Sequence, residues 1–191
     1  MNAKRALDSQ TILNAAAELA EEKGLENVSL LQVAEKLGVK SPSLYNHLSG
    51  LQELSSGIAK LAISRLEDTV RNAAVGRSKD NALIEIASAY RRFAKENPEL
   101  YKAILRFPDC HDESIREAGY AVVRIFYQVM EPYHFSKEET LHFTRGFRSA
   151  LHGFVSLEAA GFFQSGEANL DDSYEQLVSR LISTLRPMGA D

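Results

Sequence analysis

The chain has 191 residues, with 22 Lys plus Arg, 26 Asp plus Glu and a formal net charge of −4. That length permits one ordinary domain or two small helical units, and the 45% hydrophobic content supplies a core and argues against disorder. No apolar run is long enough to cross a bilayer, and the mild acidity excludes a general nucleic-acid coat, so any DNA contact has to come from a local patch.

Met1-Asn-Ala-Lys-Arg leads directly into polar residues without a signal-peptide apolar region. One cysteine, Cys110, excludes an internal disulfide framework and fits a reducing compartment. The expected location is the cytoplasm.

A 3.6-residue period runs through almost every segment and none alternates with period 2, so the fold class is all-α, with about nine helices. Ile12, Leu13, Ala16, Leu19 and Ala20 form one apolar face, stopped by Gly24. Ser29 starts a second helix with Gln32 completing a capping box, and Leu30, Val33, Ala34 and Leu37 stripe it up to Gly38. A short helix follows over 41–48, with Pro42 in its first turn. A longer one spans 51–74 and ends before the polar Gly76-Arg-Ser-Lys-Asp. Further helices are predicted near 80–96, 98–105, 112–131, 136–164 and 171–186. The punctuation comes from Asn97-Pro98, Phe107-Pro108-Asp109, Glu131-Pro132 and Ser165-Gly166. Three segments follow: a three-helix unit over 1–50, a connecting helix over 51–76, and a helical bundle over 77–191.

Residues 29–48 carry the chemistry. Two short helices joined by a glycine turn form a helix-turn-helix, whose second helix fits a major groove. Ala34 permits a close crossing, Gly38 supplies the left-handed turn and Val39 fills the space beneath it. Lys36 and Lys40, with no acid before Gln52, make the local field positive. Ser41, Ser43, Tyr45, Asn46 and His47 crowd hydrogen-bonding groups onto two turns of helix. An αα-hairpin inside a bundle is the bland alternative, since it could use the same glycine.

Together, Ile12-Leu-Asn-Ala-Ala-Ala, Gly24-Leu-Glu-Asn-Val-Ser29, Val33-Ala34, Leu37-Gly-Val39 and Leu44-Tyr-Asn-His-Leu48 resemble the amino-terminal unit of the TetR family of bacterial transcriptional regulators. Residues 145–163 resemble the WHG-type ligand-binding half shared by some of those regulators. Leu151-His152-Gly153 stands where that motif has Trp-His-Gly. The resemblance implies that Ser29 caps helix 2 and touches a phosphate, and that Tyr45 and His47 contact the backbone phosphates. Ser41, Ser43 and Asn46 would face base edges, Asn46 as the adenine reader. Lys40 stands at the usual capping-serine position; Ser41 followed by Pro42 would move that cap by one residue. Leu31 and Leu51 replace cationic residues common in relatives, which implies weaker, less salt-dependent DNA binding. Lys4 and Arg5 in the amino-terminal arm are candidate compensating phosphate contacts.

In the carboxy-terminal unit, Gly146, Ser149, Ala150, Gly153, Ser156, Ala160 and Gly161 line one side of a helix, so another helix can approach closely. The resemblance implies that this helix and the last one, through Leu177 and Leu181, pair with their copies in a homodimer. Close packing within one chain is the alternative. Aromatic residues at helical spacing read first as core. Among them the candidate effector pocket comprises Phe93, Tyr120, Arg124, Phe147, His152 and Glu158.

Glu131-Pro-Tyr-His134 and Glu139-Thr-Leu-His142 have the Glu-x-x-His spacing of di-iron bundles, but they are nearly adjacent where such a site needs separate long helices. Neither a phosphate-binding glycine loop nor a Gly-x-Ser-x-Gly elbow occurs. The expectation is a non-enzymatic, homodimeric regulator, a repressor, binding a double-stranded palindromic DNA operator. It would respond to a small-molecule effector and have no cofactor and no membrane association. A helical protein-binding adaptor and a metal-dependent bundle enzyme are the rivals.

Overall fold

The computed structural model describes residues 7–106, 113–164, 166 and 168–185; these are helical or turn, with no strand among them. Lys4, Arg5, Cys110, the Phe107-Pro108-Asp109 turn, Ser165 and Arg186 lie outside the described residues. Two units are defined by internal contacts. One contains residues 1–65 and 97–118, the other 66–96 and 119–191.

In the first unit, Asp8 accepts the Thr11 amide at 2.7 Å and starts α1 (Ser9–Lys23). Gly24, at φ +93°, ends it, and a 3-10 turn over Leu25–Asn27 leads to α2 (Leu30–Leu37). The capping box forms as expected: Ser29 Oγ accepts the Gln32 amide while the Gln32 side chain accepts the Ser29 amide at 3.0 Å. Gly38, at φ +65°, closes α2, and the Val39 amide returns to Ala34 O at 3.0 Å.

The reader segment departs from the α-helix expected over 41–48. It is a 3-10 helix, Ser41–Asn46, closed by the His47 and Leu48 amides on Leu44 O at 2.9 and 3.0 Å. Six residues are too few to sustain α-helical cooperativity, so the tighter repeat prevails; Pro42, in the first turn, gives up no bond in either form. Nor does the cap move to Ser41. Lys40 holds the cap position without a side-chain bond, and the Ser43 amide donates to Lys40 O at 2.9 Å.

α3 (Leu51–Ala74) begins in the first unit and continues into the second. Ile12, Ala16, Val33, Ala34, Leu44, Leu48, Leu54 and Ile58 form one buried cluster, joined by Leu100 and Ala103 of α5 (Pro98–Arg106). Carboxylates from both sides fasten α5 to the end of α1. Glu21 accepts the Leu100 and Glu99 amides at 2.8 and 3.2 Å, and Glu99 accepts the Leu25 amide at 2.9 Å. Burial opposes ionisation of Glu99, yet Lys102 and the Leu25 amide outweigh it and hold the carboxyl below the usual range.

The second unit is built from the end of α3, α4 (Lys79–Glu96), α6 (Glu113–Met130, from Gly119 onward), α7 (Lys137–Ala159) and α8 (Leu170–Ser183). A short 3-10 turn, Glu131–Tyr133, separates α6 from α7. Ser136 and Glu139 form the capping box of α7, and Asn169 caps α8. Leu83, Ile86, Phe126, Met130, Phe147, Leu151, Val155, Tyr174 and Val178 are core. The Phe126 and Phe147 rings meet edge-on at 6.1 Å. α7 stops five residues short of the expected 164, because Gly161 takes φ +76° and turns the chain.

One expected outcome tests the carboxylate clamp. Glu21→Ala removes the acceptor of two α5 amides and costs about 1–2 kcal/mol. Urea unfolding with amide exchange at Glu99 and Leu100 checks it; an unchanged midpoint and unchanged exchange contradict the clamp.

Candidate nucleic-acid interface and effector half

The reader segment divides by polarity. Leu44 and Leu48 are buried, whereas Lys40, Pro42, Tyr45 and Asn46 are exposed and Ser41, Ser43 and His47 are half-buried. Tyr45 keeps 58% of its surface. Two leucines thus turn every hydrogen-bonding side chain of the segment outward, at least in part. Ser29 has a narrower role than the resemblance implies. Its hydroxyl lies 3.1 Å from Gln32 Oε1 and also receives the Gln32 amide, so an anion approaching α2 meets chiefly the first-turn backbone amides.

The expected positive field is smaller than the sequence suggests. Lys36 is tied to Glu22 at 2.7 Å and Glu18 at 3.2 Å on α1. These acids raise its pKa, chiefly through the Glu22 hydrogen bond, and spend its charge within the unit. Lys40 is the exposed cation left between Lys36 and Gln52. Leu31 and Leu51 are exposed apolar side chains, at 60% and 52%.

In the second unit, the small residues of α7, and Ala160 that caps it, face away from its core side. Gly146 and Ala160 are exposed, Ala150, Gly153 and Ser156 half-buried, and Phe147, Leu151 and Val155 buried. A Cβ added at Gly146 or Gly153 would meet no atom within 4 Å. Close packing of those glycines within one chain therefore does not occur among the described residues. Ser156 Oγ is buried without a hydrogen-bond partner in that set, and Leu177 and Leu181 are half-buried on α8.

The six effector candidates do not converge. Phe93 and Phe147 are core residues. Tyr120 and Arg124, four residues apart, lie on the outer face of α6, because Val122, Ile125, Phe126 and Val129 take its buried face. His152 is half-buried, with Nδ1 3.0 Å from the Tyr90 hydroxyl; burial, helped by Arg148, lowers its pKa. Glu158 accepts two bonds from Arg91, at 2.8 and 2.7 Å, with Lys95 at 3.1 Å. The Arg91 hydrogen bond, the largest cause, holds its carboxyl below the usual range. That ion pair therefore contributes at neutral pH and is lost as pH falls through the carboxylate range.

Among the described residues of this unit are two open clefts. One, of about 750 Å³, lies between α4 and α8; the other, of about 400 Å³, lies between the carboxy-terminal ends of α3 and α6. None of the six candidates lines either. The sequence reading missed Arg91, Lys95 and Asp171. The signal for Arg91 was present: it occupies a position on the buried stripe of α4, between Tyr90 and Phe93, where an unpaired charge could not stay. Glu139, from the second Glu-x-x-His, is engaged in capping Ser136, and His142 lies on the exposed face of α7 near Glu138.

The chain matches the family described as bacterial regulatory proteins, tetR family, over residues 12–54, and the tetracyclin repressor-like C-terminal domain over 83–181. It is 35% identical over 172 residues to the uncharacterised HTH-type transcriptional regulator YobS of Bacillus subtilis, spanning 90% of this chain and 89% of that protein. It is 29% identical to the regulator Rv0681 of Mycobacterium tuberculosis, over 92% and 80% of the two chains. Among solved structures, regulatory protein SCO4313 superposes with a TM-score of 0.77 at 23% identity, covering 91% of this chain and 94% of that one. A variant TetR from Acinetobacter baumannii AYE, solved with minocycline, gives 0.72 at 18% identity, over 97% and 99%. Helix-turn-helix, helical carboxy-terminal half and full-length likeness agree: this chain belongs to the TetR family of bacterial transcriptional regulators.

Proposed function

We propose that the protein is a homodimeric repressor that binds a palindromic operator and is released by a small-molecule effector. The observation that carries the reading is the polarity split of residues 40–48, which leaves Lys40, Ser41, Ser43, Tyr45, Asn46 and His47 at the surface over two buried leucines. Two such readers related by a two-fold axis fit half-sites about one DNA turn, or a multiple of it, apart. Support for the dimer comes from the open face of α7 at Gly146 and Gly153, with Ala150, Ser156 and Ala160 beside them and Leu177 and Leu181 on α8. In this reading the effector acts through its preference for the conformation that does not bind DNA. α3 belongs to both units and is the element whose setting would change the separation of the two readers.

The deciding experiment is selection of the purified protein against randomised duplex DNA at near-physiological salt. A palindrome is expected. No enrichment from folded, dimeric protein overturns the reading in favour of a protein-binding adaptor.

Three substitutions sharpen it. Asn46→Ala is expected to weaken the selected duplex by about 1–3 kcal/mol while sparing non-specific binding; equal loss on both removes Asn46 as a base reader. Lys40→Ala is expected to lower the slope of log affinity against log salt by about one; an unchanged slope places Lys40 in solvent. Gly153→Leu is expected to leave the protomer folded, since a Cβ there has open space within 4 Å, and to shift sedimentation toward the monomer. An intact dimer contradicts that interface.

A further inference from the structure

The 750 Å³ cleft between α4 and α8 has the size of a small-molecule site, and its two ends differ. At one end, Arg91 is only 8% exposed. Its guanidinium packs against both the Phe154 and Tyr174 rings, 5.5 and 4.9 Å from their centroids, the two rings themselves meeting at 4.9 Å. Arg92 and Lys95 flank it on the same helix. Toward the other end the lining becomes Ala87, Val178 and Ile84, with the hydroxyls of Ser88 and Ser179 at the sides. The antiparallel run of the helices is marked by Arg91 on Asp171 at 2.8 Å and Tyr174 Oη on Ala87 O at 2.7 Å. From Asp171 to Ser179 the cleft extends about 12 Å along α8.

The chain itself shows what the charged end accepts. Glu158 takes two bonds from Arg91 from the buried side. The next partner of the same guanidinium is Asp171, a carboxylate whose side chain remains 68% exposed on the first turn of α8. Lys95 also lies 4.0 Å from Asp171. A carboxylate entering from solvent can take this seat while Asp171 swings into water, and Arg91 never loses its buried partner. Glu85, Glu96 and Glu175 also line the cleft, Glu96 beside Lys95, and disfavour a second negative charge.

We infer that the α4–α8 cleft is a binding site for an amphipathic monocarboxylic acid, its carboxylate on Arg91 and Lys95 in place of Asp171 and its apolar tail along Ala87, Val178 and Ile84. The site names the chemical class of the effector in the reading above, and it rests on that reading for its regulatory meaning alone. It stays open in the proposed dimer, because Glu175 and Ser179 project about 160° around α8 from Leu177 and Leu181.

Titration calorimetry of the full chain with sodium octanoate, and separately with octylamine, tests the site. Saturable octanoate binding with one site per chain is expected. Asp171→Asn should tighten it about tenfold by freeing a charge-assisted bond for the ligand. Ser88→Trp, at an exposed position on the cleft wall, should abolish it without disturbing the core. No saturable octanoate binding in either the wild type or Asp171→Asn overturns the proposal. So does binding indifferent to both variants, or octylamine binding as tightly. Octanoate bound here, with no operator selected, keeps the site and removes the regulatory reading. A selected operator without octanoate binding does the reverse.

Discussion

The reader segment depends on the burial of Leu44 and Leu48 in the core shared by α1, α2 and α3. Six residues of 3-10 helix between Lys40 and His47 have no stability of their own. Two leucines four positions apart anchor the segment to Ile12, Val33 and Leu54 and decide which way every other side chain points. The close crossing at Ala34 and the left-handed Gly38 matter because they bring that segment over the core. A slip of one residue would bury Tyr45 and expose Leu44, exchanging the polar face for an apolar one.

Charge is used in the same economical way. The net acidity of the chain suggests a poor DNA binder, yet several of its carboxylates are spent on structure. Glu21 and Glu99 fasten α5 to α1, Glu22 and Glu18 hold Lys36, Glu53 takes the Ser49 amide, and Glu158 neutralises Arg91. These interactions cut both ways at the reader, since holding Lys36 leaves Lys40 to carry the local cationic charge. Recognition would then lean on hydrogen bonding and shape more than on counterion release.

α7 shows how one helix serves two purposes. Phe147, Leu151 and Val155 supply the core of one chain, while Gly146, Gly153 and Ala160 leave the opposite side without bulk. The core side also determines the setting of α4 and α8 through Arg91, which connects Glu158 at the end of α7 with Asp171 at the start of α8. One buried guanidinium thus joins three helices.

Much of this was determined by the sequence alone, because it depends on near neighbours along the chain. The helical period marked the all-α class, the spacing Ser29 to Gln32 the capping box, Gly38 the left-handed turn, and the polar run at 41–47 the outward face. Helix limits were legible to within a few residues and failed where backbone conformation competes, at the 3-10 reader and at Gly161. What only the tertiary structure decided are meetings between distant residues: Glu21 with Leu100, Lys36 with Glu22, Arg91 with Asp171. The candidate effector set dispersed for the same reason. Aromatic and charged types are visible in a sequence, but which of them share a cavity depends on the rotation of each helix about its axis. That rotation is settled by competition for burial, and it sent Tyr120 and Arg124 outward and Phe93 and Phe147 into the core.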